Sequence, residues 1–110
     1  MKAPHMTVLH IAYATDWEAA QHTGEYRIST RGRTLEQEGF IHCSATRTQA
    51  RTVTELFYAD VTEPLLLLEI DPTGLDIRYE VPEGAHEAFP HLYGPLPTSS
   101  VSAVYEHNTR

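Results

Sequence analysis

The chain has 110 residues, 41% of them hydrophobic and 21% charged, which suits one globular domain spanning residues 1–110 and excludes a wholly disordered protein. Eight basic against fifteen acidic side chains give a net charge of -7, which argues against broad electrostatic binding to nucleic acid or to an anionic membrane. Four of the seven arginines lie between Arg27 and Arg47, so a local basic pocket stays open.

Residues 1–6 are expected to form a flexible tail. Val8 to Tyr13 then reads as a strand, with Val8, His10 and Ala12 on one side and Leu9, Ile11 and Tyr13 on the other. Thr15 and Glu18 match a capping box, and the helix they open should run to about Gln21 and stop near Gly24. Gly24 to Thr30 suits a short strand or an extended loop. Thr34 with Gln37 forms a second box, for a brief helix ended by Gly39. Phe40 to Ser44 is extended, with Phe40, His42 and Ser44 sharing one side. A third box, Thr46 with Gln49, opens the clearest helix, whose apolar stripe is Ala50, Val53, Leu56 and Phe57. Pro64 to Asp71 is a strand apolar on both faces at Leu65 to Leu68, hence central in a sheet. A turn at Asp71 to Gly74 leads to an alternating strand from Asp76 to Val81. A stiff loop rich in Pro, Gly and His should fill Pro82 to Pro97, and Ser100 to Glu106 closes the chain as a strand. This order predicts an α+β domain on a twisted, mostly antiparallel sheet.

Leu65 to Leu68 is also the longest apolar run, far short of a membrane span, and no signal peptide is evident at the N-terminus. The single cysteine, Cys43, excludes an intrachain disulfide. A cytoplasmic location and no membrane partner are expected.

Chemistry concentrates at three places. His42, between Ile41 and Cys43 on a strand end, suits an acid, a base or a donor to a substrate hydroxyl, unless a backbone carbonyl merely satisfies it. His10 sits mid-strand between Leu9 and Ile11 and either lines a cleft or is a satisfied core residue. Phe89 to Pro97 holds His91 and Tyr93 on a rigid frame, which makes them ligand walls or simple packing under a sheet edge. Glu80 either pairs with a neighbouring cation or accepts from a ribose hydroxyl. Arg27, Arg31 and Arg33 flank the second capping box and either bind phosphate or are solvated. Cys43 faces away from His42 on a strand, so it reads as a buried thiol more than as a nucleophile. No HxH, HExxH or CxxC pattern occurs, and no metal is expected.

The runs Asp16-Trp17-Glu18-Ala19-Ala20, Gly24-Glu25-Tyr26, Glu38 to Ser44, Leu67 to Pro72, Arg78-Tyr79-Glu80 and Phe89 to Leu96 identify the chain as a member of a bacterial family labelled a domain of unknown function, number 952. The resemblance spans Leu9 to Val104. That family resembles a compact ADP-ribosyltransferase fold, which implies two small sheets around a cleft with flanking helices. It is similar to the RNA 2'-phosphotransferases, which use NAD. There a first-strand histidine contacts NAD and a Gly-His-Ser-like segment carries a second, and His10 and Gly39 to Ser44 fall at comparable places. Phe40 and Ile41 separate Gly39 from His42, and a clear match to the phosphate-binding arginines is missing. The resemblance implies an NAD-utilising transferase with His10, His42 and His91 as catalytic candidates. It implies NAD or a related nucleotide as the small-molecule ligand, held by His10, Ser44, Tyr26, Tyr93 and Glu80. A non-catalytic nucleotide- or metabolite-binding module and a Cys/His hydrolase are the alternatives.

Overall fold

The computed structural model describes residues 7–109, and the tail expected over 1–6 lies outside them. Two three-stranded antiparallel sheets carry the domain, and two-stranded ribbons join them. The first sheet has β6 (Leu65–Ile70) between β1 (Val8–Tyr13) and β10 (Val101–His107). Its central strand is apolar on both faces because both faces are covered. Leu65 and Leu67 pack with Leu9, Ile11, Ala50, Tyr58 and Val61 on the side of helix α3 (Arg47–Phe57). Leu68 and Ile70 pack with Val8, Ala12, Trp17, Tyr26, Ile41 and Leu92 on the other.

The second sheet has β8 (Phe89–Leu92) between β5 (Ile41–His42) and β7 (Ile77–Glu80). Phe89–Leu92, within the segment expected to be a stiff loop, is therefore the middle strand of a sheet, while residues 82–88 remain irregular. Pro90 is tolerated there because β5 ends beside it. The Pro90 carbonyl accepts from the Cys43 N–H at 3.0 Å, and with no N–H of its own it returns no bond.

The two sheets meet at Ser44. Beyond β5, which pairs with β8, the chain crosses to β1, where the Leu9 N–H donates to the Ser44 carbonyl at 2.8 Å and the Ser44 N–H to the Leu9 carbonyl at 2.7 Å. Residues 41–44 are thus a seam, paired to one sheet at its start and to the other at its end.

Flanking elements complete the frame. Helix α1 (Ala14–Thr23) leaves β1 without a side-chain cap, so the Thr15/Glu18 box is not formed and the helix begins one residue before it. The Ala14 N–H instead donates to the Pro64 carbonyl at 3.0 Å. Ribbons β2 (Glu25–Tyr26) with β9 (Leu96–Pro97) and β3 (Ile28–Thr30) with β4 (Arg33–Thr34) follow. Helix α2 (Leu35–Glu38) has the full Thr34/Gln37 capping box and ends at Gly39, whose φ of 88° favours glycine. In α3, Thr46 Oγ1 caps the Gln49 N–H at 3.0 Å, but Gln49 Oε1 takes the Ala45 N–H, at 2.8 Å. Leu56 and Phe57 are 68% and 59% exposed, so the buried stripe is not the one expected. It runs through Ala50 and Thr54, the hydroxyl of Thr54 being satisfied by the Ala50 carbonyl and by His107.

Candidate functional site

His10, His42 and His91 come from β1, β5 and β8, and all three border one cleft of about 690 Å³. One wall is the seam. Helix α3 supplies Val53, Leu56 and Phe57 opposite, and the segment between β7 and β8, residues 82–87, closes the third side.

His10 is buried, and both ring nitrogens are committed. Nδ1–H donates to the His42 carbonyl at 2.6 Å, and Nε2 lies 2.8 Å from the Tyr26 hydroxyl. A carbonyl only accepts, so the proton of the neutral ring is on Nδ1 and Tyr26 donates to Nε2. Burial pushes the pKa of His10 down to about 4, against a smaller upward effect of the His42 carbonyl. His10 is therefore neutral near pH 7 and ties β1 to the backbone of β5. Tyr26 is 1% exposed in the core and offers no open ring face to a ligand.

His42 is half-buried and opposes His91 across the β5/β8 register. Its Nε2 lies 3.3 Å from Glu38 Oε1, and burial lowers its pKa more than Glu38 raises it. Phe40, on the same side of the segment, packs edge-on to His42 with centroids 4.8 Å apart.

His91 is held more tightly. Phe40 stacks on its ring at 4.0 Å and 17°, and His42 meets it edge-on at 5.4 Å. Its Nδ1 lies 2.7 Å from Glu80 Oε1, which also accepts from the Tyr93 hydroxyl at 2.6 Å. Those two hydrogen bonds, Tyr93 first, keep the Glu80 carboxyl below the usual range. The Arg78 guanidinium lies over the Tyr93 ring, 4.1 Å from its centroid, and occupies that face. Among the described residues, His91 Nε2 is the one buried side-chain polar atom without a hydrogen-bond partner.

The comparisons with known proteins agree with this frame. Residues 11–104 match the family described as "Protein of unknown function (DUF952)". The chain belongs to this family. A crystal structure of protein CC0527 from Caulobacter crescentus is similar, with a TM-score of 0.77 and 30% identity over 93% of this chain and 86% of that one. The solution NMR structure of CC0527 gives a TM-score of 0.74 and 28% identity over 92% and 84%. No curated protein matches.

In this DUF952 chain the remaining candidates divide. Ser44 is buried at the seam and borders the cleft. Cys43 also borders it, but the residue is 5% exposed and burial pushes its thiol up to about 12, so it carries no thiolate near pH 7 and lends the hydrolase reading no support. Arg31 is the one arginine among the described residues that border the cleft, and Asp60 binds it at 2.6 Å. Arg27 pairs with Glu25 and Glu36, and Arg33 with Glu38, all at the surface. Among the described residues, no group of three His, Cys, Asp or Glu could hold a metal, and no helix is long and apolar enough to cross a membrane.

Phe40, Glu38 and the 82–87 wall were not singled out as site residues. Phe40 carried a usable signal, since it alternates onto the side of His42 and Ser44. The other wall residues had none, because only the register of β8 brings them to the seam.

Proposed function

We propose that the cleft binds NAD and that the protein is an ADP-ribosyltransferase-like enzyme acting on a second, smaller substrate. The observation that carries this reading is the convergence of His10, His42 and His91, from three strands of two sheets, on one cleft. Two small antiparallel sheets meeting at a histidine-lined cleft is also what kinship with that fold implies. The volume lies within the range of about 300–1,000 Å³ common for small-molecule sites.

The residues suit most of such a ligand. Val53, Leu56 and Phe57 offer an apolar wall to a flat ring. His42 and Ser44 border the space where ribose hydroxyls would be held. Arg31 would face the diphosphate, although its charge is already shared with Asp60. Glu80 acts through His91 here, and His10 holds the His42 backbone in place. Cleavage of the nicotinamide–ribose bond passes through an oxocarbenium-like ribose, so positioning and electrostatics matter more than a strong nucleophile. Tyr93, its ring covered by Arg78, contributes through its hydroxyl.

Titration with NAD, followed by the ring signals of the histidines in NMR, tests the reading. The expected result is movement of the His42 and His91 signals, with nicotinamide release when an acceptor is supplied. Thermal stabilisation with no nicotinamide released would instead assign a binding module. Unmoved histidine signals would remove NAD altogether.

A further inference from the structure

An unpartnered polar atom in a protein interior is uncommon, and His91 Nε2 is one. The His91 side chain is 5% exposed, yet the residue borders the cleft. Its orientation is set on every side that is occupied: Phe40 over the ring face, His42 at the edge, Glu80 on Nδ1. An ionised Glu80 only accepts, so the proton of the neutral imidazole sits on Nδ1 and Nε2 keeps a bare lone pair. An imidazole with one nitrogen anchored to a carboxylate and the other free has the form of a general base.

We infer that His91 takes the proton of the nucleophile that attacks the ribose, so that the acceptor is a hydroxyl compound or water and not a phosphate. This rests on the NAD-donor reading above. A phosphate near neutral pH is already an anion and needs cations more than a base. The cleft has no cation to spare for it: Arg31, its one bordering arginine among the described residues, would already face the NAD diphosphate and is shared with Asp60, and Glu83 and Glu87 stand in the third wall. A hydroxyl is neutral, tolerates these carboxylates and needs a base. In the step, the acceptor O–H bond breaks and its proton moves to His91 Nε2. The oxygen bonds to the anomeric carbon, the carbon–nitrogen bond to nicotinamide breaks, and nicotinamide leaves neutral with the electron pair. The imidazolium, stabilised by Glu80, then gives the proton to solvent. Glu80 is a positioning residue, which fixes the tautomer.

The first measurement is the ring tautomer of each histidine, read from long-range proton–nitrogen-15 correlations in NMR. His91 is expected to carry its proton on Nδ1 with Nε2 bare. The second supplies NAD with methanol, or with inorganic phosphate, and identifies the products. Methyl ADP-ribose and ADP-ribose are expected, with no phosphorylated ADP-ribose. His91→Gln should cut nicotinamide release about a hundredfold while NAD still binds. Glu80→Gln, which removes only the anchor's charge, should cut it about tenfold. A His91 protonated on Nε2 alone, a phosphorylated product, or undiminished release by both variants overturns the inference. Failure of NAD to bind overturns the donor reading and this inference together, whereas NAD binding with a phosphorylated product overturns this one alone.

Discussion

Three histidines of identical chemistry are given different states by their surroundings. His10 has both nitrogens bonded inside the core, His42 is half solvated beside Glu38, and His91 has one nitrogen anchored and one bare. The pKa of His10 falls from 6.5 to about 4 because burial opposes its charge. Its folded value lies below its unfolded one, so between these values the unfolded chain binds more protons. The stability it contributes is complete above pH 6.5 and is lost as pH falls through about 4. At about 1.4 kcal/mol per pH unit, this single residue is worth roughly 3 kcal/mol over the window. Urea denaturation at several pH values between 7 and 4 should show the loss. His10→Gln should flatten it without abolishing it, because burial also lowers His42 and His107. An unchanged slope in the variant would mean that His10 does not titrate there. All three histidines were visible in the sequence from their apolar or rigid neighbours. Their different states were not, because those of His10 and His91 depend on partners outside the local sequence, Tyr26 and Glu80.

Elements were legible where short-range rules decide them. Strand β1, the central β6, the capping box and glycine stop of α2 and the start of α3 all follow from alternation, apolar runs and caps, and all are present. Sequence reasoning failed where a long-range partner overrides a local rule. The Thr15/Glu18 box gives way because Ala14 is already bonded to Pro64. β8 looked like a loop because proline argues against a central strand, and only the shortness of β5 makes the missing N–H harmless. The stripe on α3 shifted because Leu56 and Phe57 face the cleft and not the sheet. Gln49 illustrates the same contest. Besides Ala45, its carboxamide reaches Glu87 Oε1 at 2.8 Å and the Ala88 carbonyl at 2.9 Å, so α3 holds the third wall of the cleft. Gln49→Ala should cost roughly 0.5–1.5 kcal/mol by removing these hydrogen bonds. It should also speed amide exchange across residues 82–88 more than in β6. Uniform acceleration throughout the chain would show that the residue supports the whole fold and not this wall.

For the whole molecule, the decisive feature is that the candidate site and the joint between the sheets are the same segment. Ile41 and His42 belong to one sheet, and Ser44 is bonded to the other through two backbone hydrogen bonds with Leu9. Both hydrophobic clusters reach this joint, one through Ile41 and Cys43 and the other through Leu9. The position of His42 relative to His10 is therefore set by sheet docking, and loosening one must loosen the other. Ser44→Pro removes the N–H that donates to Leu9 and leaves that carbonyl without its partner, at a cost of roughly 1–3 kcal/mol. Because the bond joins the sheets, amide exchange in β6 and in β8 should accelerate together, and the His10–His42 contact should weaken in NMR. Leu56→Ser is the contrasting change. At 68% exposure it should leave stability within about 0.5 kcal/mol while weakening whatever binds the apolar wall. If Ser44→Pro accelerated exchange in only one sheet, the sheets would be docked by side-chain packing alone, and the geometry of the site would not depend on the seam.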